Sequence, residues 1–215
     1  MVLSDIIKLT KGGENDVVEF KKKAAFPLKI IRELVAFANT KGGWLLVGVD
    51  DDGTVSGLKY FEEDAFALEE AIRIYCRPRL KYKFHVVNLS SHKGLLAYYV
   101  RESKRKPHFV LDQKGRKRKA YIRINDKTVQ ASREVLEIMK RTTRKENLHF
   151  NFGIKEKLLM EYLEEHRSIT VDQFDKMAHL TRENASETLV KLTLANVISL
   201  APQMKQDIFT LAPYN

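Results

Sequence analysis

Hydrophobic and polar residues change their spacing several times within the first sixty positions, and each change marks a new structural element. Residues 16–22 alternate between apolar and polar side chains, which predicts a strand. From Pro27 onward, apolar residues recur at helical spacing, and proline is well tolerated in the first turn of a helix. Residues 44–49 are apolar without alternation, as in a strand covered on both faces. A short strand at 55–58 then completes a strand–helix–strand unit.

The middle of the chain continues with strands and two helices. In chain order the pattern predicts a helix at 62–76, strands at 77–87 and 95–101, a hairpin of 107–111 with 120–124, a closing strand at 121–128, and a helix at 132–141. The apolar stripe of the helix at 62–76 includes Phe66. The strand at 77–87 has an apolar face ending in Val86 and a second face that carries Lys81, Lys83 and His85.

The last third of the chain follows a different pattern. After a polar linker at 142–147, the sequence predicts helices at 154–166, after a capping box at 170–173, and at 181–196, followed by strands at 197–200 and 208–211. Three helices followed by a hairpin are typical of a winged-helix domain. The predicted fold class is therefore α+β, with a mixed-sheet domain at 1–147 and a winged-helix-like domain at 148–215.

Positive charge is concentrated in the first of these domains. The chain has a net charge of +10, and residues 1–147 hold 31 of its 38 Lys and Arg residues but 19 of its 28 Asp and Glu residues. Such an asymmetric distribution is typical of a polyanion-binding protein with a separate partner or control module. The alternative is that these cations only keep the surface soluble.

The densest cluster of cations lies in the hairpin predicted between residues 107 and 124. Five of the six residues from Lys114 to Lys119 are basic, and Lys104, Arg105 and Lys106 lie just before the hairpin. A basic hairpin can enter a groove of nucleic acid or follow its phosphate backbone. A mobile, solvated loop without a partner is the alternative interpretation.

Several absences limit the class of protein. The single cysteine, Cys76, excludes an internal disulfide and fits a reducing compartment. No signal-peptide pattern is present, and no apolar run approaches the about 18 residues that span a membrane. We therefore expect a cytoplasmic protein without a membrane partner. The sequence also lacks a phosphate-binding P-loop, zinc-ligand spacing and a serine-nucleophile motif.

A set of spaced motifs resembles a known family. Glu14-x4-Glu19-Phe20-Lys21 is followed by AlaPheAlaAsnThr, GlyGly, an apolar strand, GlyValAsp and AspGly. In this order the motifs resemble the AlbA-like domain of the Schlafen superfamily, from about Glu14 to about Arg141. That family includes proteins described as DNA-binding or transcriptional regulators, and Schlafen proteins that cut transfer and ribosomal RNA.

The resemblance implies one candidate catalytic site. The two glutamates and one aspartate of the nuclease-active members match Glu14, Glu19 and Asp50, with Asp51 as an alternative to Asp50. Such carboxylates are suited to Mg²⁺ or Mn²⁺, which can activate water against a phosphodiester. The alternative is that Glu14 and Glu19 form local caps or ion pairs and that the aspartates only make a turn.

Three functions therefore remain open at this stage. The first is a nucleic-acid-binding protein without a cofactor, acting as a transcriptional regulator on DNA or RNA, with a homodimer or protein contact through the C-terminal domain. The second is a metal-dependent RNA endonuclease that uses Glu14, Glu19 and Asp50. The third is a protein-interaction scaffold. For the first, the predicted phosphate contacts are Lys21, Lys22, Lys23, Lys104, Arg105, Lys106, Lys114, Arg116, Lys117, Arg118, Lys119 and Arg123.

Overall fold

The computed structural model describes residues 1–144 and 152–213 and divides into two compact units. The first unit is Met1–Ala131, and the second begins at Ser132. The predicted boundary between 147 and 148 lies outside the described residues and stays a prediction.

The described residues form seven helices and twelve strands, which confirms the α+β class. The helices are α1 (Leu3–Thr10), α2 (Pro27–Asn39), α3 (Phe61–Tyr75), α4 (Arg133–Arg144), α5 (Ile154–His166), α6 (Val171–Met177) and α7 (Arg182–Leu194). The strands are β1 (Val18–Lys21), β2 (Gly42–Val47), β3 (Cys76–Arg77), β4 (Tyr82–Ser90), β5 (Lys93–Arg101), β6 (Phe109–Leu111), β7 (Arg118–Lys119), β8 (Tyr121–Ile124), β9 (Lys127–Gln130), β10 (Ser168–Ile169), β11 (Ile198–Ala201) and β12 (Ile208–Leu211). No helix in the described part of the chain is long and apolar enough to cross a membrane.

The first unit is built on a four-stranded mixed sheet in the order β1-β2-β5-β4. Strands β1 and β2 are parallel because α2 connects them, and β2, β5 and β4 pair antiparallel. One face of the sheet packs on α2 and α3 around the fully buried Tyr98 and Phe37. The other face forms a second cluster in which Phe20 and Leu46 pack against Ile6 of α1.

The edge of this unit differs from the sequence prediction. The strand expected at 77–87 is divided into β3 and β4, because β3 pairs with β6 in a separate sheet, β3-β6-β7. The expected hairpin closes through β6 and β7, and residues 121–128 form most of a second hairpin, β8–β9, rather than one strand. The segment 55–58 makes only isolated bridges.

Two residues expected on apolar faces are exposed. Phe66 is 71% exposed and Val86 is 42% exposed. On β4 the next residue, Val87, is buried in the second cluster. Since both faces of the sheet are covered, simple alternation does not decide which residue is buried.

The second unit has one core formed by α5, α6, α7 and a three-stranded sheet in the order β10-β12-β11. Thr170 caps α6 and Thr181 caps α7, each accepting a hydrogen bond from a backbone N–H. Helix α4 packs on α7 and continues to Arg144, so the first residues of the predicted linker are helical. The likeness to a winged helix stays a prediction.

Candidate nucleic-acid interface

Glu19 lies on β1 and is buried, with both carboxylate oxygens occupied by cations. One oxygen forms an ion pair with Lys21, which lies two residues along the same strand. The other accepts a hydrogen bond from the Arg123 guanidinium at 2.7 Å. Glu19 is therefore part of an internal ion-pair network.

Arg123 is the centre of that network, and its side chain is fully buried. Its guanidinium also donates to Glu33 at 3.1 Å, to Thr128 Oγ1 at 3.1 Å and to the Asn15 carbonyl at 2.6 Å. It lies over the Phe37 ring, 5.1 Å from the centroid. Because no part of the guanidinium reaches solvent, the predicted phosphate contact at Arg123 does not fit this structure.

The other two predicted catalytic carboxylates are also engaged. Glu14 Oε1 accepts the backbone N–H of Phe20 at 2.8 Å. Burial raises the pKa of Glu14, and the nearby charges of Glu19 and Asp51 add to that increase. Asp50 forms an ion pair with Lys22 at 2.8 Å. Asp51, the aspartate whose charge adds to the raised pKa of Glu14, is the alternative catalytic position.

These carboxylates, as arranged, do not fit a divalent metal ion. A metal site needs carboxylate oxygens that are free and converge on one point. Within residues 1–144 and 152–213, no three Asp, Glu, His or Cys side chains form a group that could hold a metal. Both oxygens of Glu19 face cations instead.

Four of the lysines predicted to contact phosphate lie in different environments: Lys21, Lys22, Lys23 and Lys106. Lys21 binds Glu19 and Lys22 binds Asp50. Lys23 is exposed. Lys106 pairs with Glu102 at 2.5 Å and donates to the Thr40 carbonyl at 3.2 Å.

The cationic turn between β6 and β7 is held together by hydrogen bonds and a ring contact. Asp112 Oδ1 accepts the backbone N–H groups of Arg116 at 2.7 Å and Lys117 at 3.1 Å. Gly115 adopts a positive φ of 66°, which glycine allows without strain. Arg118 packs over the Phe109 ring at 4.8 Å. The five basic side chains of the turn, Lys114, Arg116, Lys117, Arg118 and Lys119, are all exposed.

A cleft of about 1200 Å³ in the first unit gathers a second set of cations. Seven basic side chains line it: Arg73, Arg79, Lys81, Lys83, Arg101, Lys104 and Arg105. Arg73 pairs with Glu70 at 2.7 Å. For the other six, no carboxylate in the described part of the chain lies within ion-pair distance.

Three acidic residues line the cleft, against seven basic ones, and each has at least one partner within the first unit. Glu70 binds Arg73, Glu102 binds Lys106, and Glu69 accepts the Tyr82 hydroxyl. The cleft therefore carries an excess of positive charge that its own carboxylates do not neutralise.

His108 supports one wall of the cleft in a defined tautomer. Its Nδ1 lies 3.1 Å from the Pro78 carbonyl and its Nε2 lies 2.8 Å from Ser103 Oγ. A carbonyl can only accept, so Nδ1 carries the proton and Nε2 accepts the Ser103 hydroxyl. Burial lowers the pKa of His108, which keeps the ring neutral. Through these two hydrogen bonds, His108 links the segment after β3 to the segment after β5.

The sequence identified only part of this cleft. Lys104 and Arg105 were predicted phosphate contacts, whereas Arg79, Lys83 and Arg101 were not. The cationic face of residues 81–85 was the available signal. It was not sufficient, because the cleft forms only when the segment after β3 meets the segment after β5.

Several solved structures are distantly similar to the chain. The chain is similar to the N-terminal domain of a RecG-related protein from Nitrosomonas europaea, with 24% identity, coverage of 47% of this chain and 74% of that chain, and a TM-score of 0.38. It is also similar to the DIP2311 protein from Corynebacterium diphtheriae, with 16% identity, coverage of 98% and 49%, and a TM-score of 0.45. The chain thus spans about half the length of the second protein.

A search of curated proteins gave no match. The family model described as Schlafen, AlbA_2 matches residues 14–132, from the first candidate carboxylate to the start of the second unit. This match covers more than half of the chain and includes the β1–α2–β2 unit, the cleft and the cationic turn. The chain belongs to the Schlafen, AlbA_2 family.

Proposed function

We propose that this protein binds nucleic acid, DNA or RNA, by holding phosphates in the cationic cleft of its first unit. The observation that carries the proposal is the group of six cleft cations without a carboxylate partner among the described residues. Unpaired Lys and Arg side chains bind phosphates and release counterions, and this term supplies most of the non-specific affinity for nucleic acid. Family membership supports a nucleic-acid-related function.

The cationic turn extends the proposed phosphate-binding surface. It is joined to the cleft through the sheet β3-β6-β7, because the cleft segment 78–83 follows β3 directly. In this proposal the cleft and the turn hold successive phosphates of one nucleic-acid strand.

In this proposal the second unit contributes less than the first to the electrostatic attraction of nucleic acid. Arg182 of α7 forms an ion pair with Asp172, and Lys191 lies 3.4 Å from Glu187. We assign this unit, as a winged-helix-like module, a protein or second-copy contact in the regulation of transcription. The support is the order of its elements and the lack of excess positive charge on α7.

The experiment compares a variant that loses cleft cations with one that loses cations elsewhere in the first unit. Wild type, an Arg79→Ala/Lys81→Ala/Lys104→Ala variant and a control variant with Lys59 and Lys127 changed to Ala are titrated into labelled transfer RNA and duplex DNA. Lys59 and Lys127 are exposed cations of the same unit and do not line the cleft. We expect the cleft variant to lose about tenfold or more in affinity and the control to change little. Equal binding by all three proteins would overturn the proposal.

The same samples test the nuclease alternative. Each titration is repeated with Mn²⁺ and with a chelator, and the nucleic acid is examined for cleavage. We expect intact nucleic acid, because the ion pairs of Glu19 and Asp50 oppose a metal site. Metal-dependent cleavage that is lost in a Glu14→Ala/Glu19→Ala variant would establish the nuclease instead.

A further inference from the structure

One end of the second sheet face carries a row of aromatic rings. Trp44 on β2 is the register partner of Tyr99 on β5, and their ring centroids lie 4.8 Å apart. His85 on β4 lies 6.3 Å from Trp44. All three side chains are partly exposed, and Trp44 also packs against the cluster that contains Ile6 of α1.

Cations border this row. Lys83 is the register partner of Tyr99, and Arg101 lies two residues further along β5, so both project from the same face. Both are exposed and have no carboxylate partner within the described ranges. Lys83, Tyr99 and Arg101 also line the cationic cleft. The aromatic row is therefore continuous with the proposed phosphate-binding surface.

We infer that Trp44, Tyr99 and His85 form a stacking platform for unpaired bases, and that the ligand of the cleft is single-stranded nucleic acid. The inference rests on the proposed function and names its substrate class. Aromatic rings beside a cationic groove are the usual means of holding single strands without sequence readout. In a duplex the base faces are covered by neighbouring bases, so flat rings on a sheet cannot stack on them.

The chain contains a single tryptophan, Trp44, so tryptophan fluorescence reports directly on the platform. Full-length protein is titrated with oligouridine, with oligothymidine, and with oligothymidine paired to oligodeoxyadenosine, while Trp44 fluorescence is recorded. Stacking of a base on Trp44 quenches its emission. We expect saturable quenching by one or both single strands and little by the duplex, and the first two arms distinguish RNA from DNA.

Affinity is then measured by anisotropy of a labelled oligothymidine. Tyr99→Leu removes one ring of the platform, and Phe66→Leu removes an exposed ring of the same unit that lies outside the cleft and the platform. We expect Tyr99→Leu to lose about 5- to 150-fold in affinity with an unchanged salt slope, because a lost stacking contact releases no counterion. Phe66→Leu should bind like wild type, and so should Tyr99→Phe, which keeps the ring.

The outcomes separate this inference from the proposed function. If single strand and duplex bind equally, without quenching and without an effect of Tyr99→Leu, the inference is wrong and the proposed function stands. If wild type binds no nucleic acid, both are wrong. Quenching that depends only on protein concentration would assign the platform to a second copy and also overturn the inference. Should Tyr99→Leu not fold, quenching in wild type decides the question.

Discussion

Two acidic and two basic side chains meet inside the first unit, and this network decides the role of the residues that looked most catalytic. Glu19 and Glu33 both contact the buried Arg123, and Lys21 completes the charge balance. Burial raises the pKa of Glu33, and the charge of Glu19 adds to the increase. The alternation of residues 16–22 is enough to put Lys21 on the same side of β1 as Glu19, because strand alternation is local. It could not place Arg123, which lies 104 residues from Glu19.

Removing Arg123 should destabilise the fold rather than weaken binding directly. Arg123→Ala leaves the largely buried Glu33 without this cation and Glu19 with Lys21 alone, and breaking a buried ion pair in this way typically costs about 3–5 kcal/mol. Urea unfolding of the variant, compared with the exposed neighbour variant Lys127→Ala, measures this cost. A fully stable Arg123→Ala protein that binds nucleic acid weakly would contradict the structural role.

The pH dependence of stability should report on His108. Burial lowers its pKa in the folded state below the ordinary value of about 6.5. As the pH falls through about 6.5, the unfolded chain binds a proton that the folded chain resists, so stability is lost. Wild type should therefore lose more unfolding free energy than His108→Gln between about pH 7.5 and about pH 5.5. Parallel losses in the two proteins would show that His108 titrates normally in the fold. The comparison needs the variant because Glu14 and Glu33, with raised pKa values, act in the opposite direction in acid.

At the scale of elements, the sequence predicted the existence and type of most helices and strands, but not their pairing. The helical stripe from Pro27 and the apolar run at 44–49 gave α2 and most of β2, since both are strongly patterned. The edge strands near residues 77 and 120 were misjudged, because short strands take their partners from distant segments. Arg77 of β3 pairs with Phe109 of β6, and Cys76 pairs with Val110, so the partners lie 32 and 34 residues apart in the chain.

Helix α4 gives a test of the division into units. The Glu134 carboxylate accepts the Ser186 hydroxyl at 2.5 Å, and Arg141 makes two hydrogen bonds to Glu187 at 2.9 and 2.7 Å. A fragment of residues 1–147 therefore contains α4 without its partner α7. We expect trypsin to cut this fragment rapidly at Lys140 and Arg141, and the full-length chain slowly at the same bonds.

The fragment experiment has a simple control and a clear contrary result. A fragment of residues 1–131 should resist trypsin as well as the first unit of the full chain does. If α4 is equally protected in the 1–147 fragment and in the full chain, then α4 belongs with the first unit, as the sequence boundary at 147 implied.

For the whole molecule, the distribution of charge was the most reliable signal in the sequence. The net positive first domain corresponds to a unit with a cationic cleft and a cationic turn, whereas the cations of α7 are paired with acidic side chains. The sequence could not reveal the cleft itself, because whether a lysine is paired or free depends on carboxylates brought close by folding.

The central claim is that the cleft of the first unit, rather than α7 of the second, holds nucleic acid. The most direct test is the dependence of nucleic-acid affinity on salt concentration, from about 50 to about 200 mM. The slope of log affinity against log salt concentration is proportional to the number of phosphate contacts. The proteins are wild type, Arg79→Ala/Lys81→Ala/Lys104→Ala, and Arg182→Ala/Lys191→Ala. We predict that the cleft variant lowers the slope by about two to three, roughly one for each lost contact, and that the α7 variant leaves it unchanged. A larger loss of slope and affinity in the α7 variant would contradict the claim.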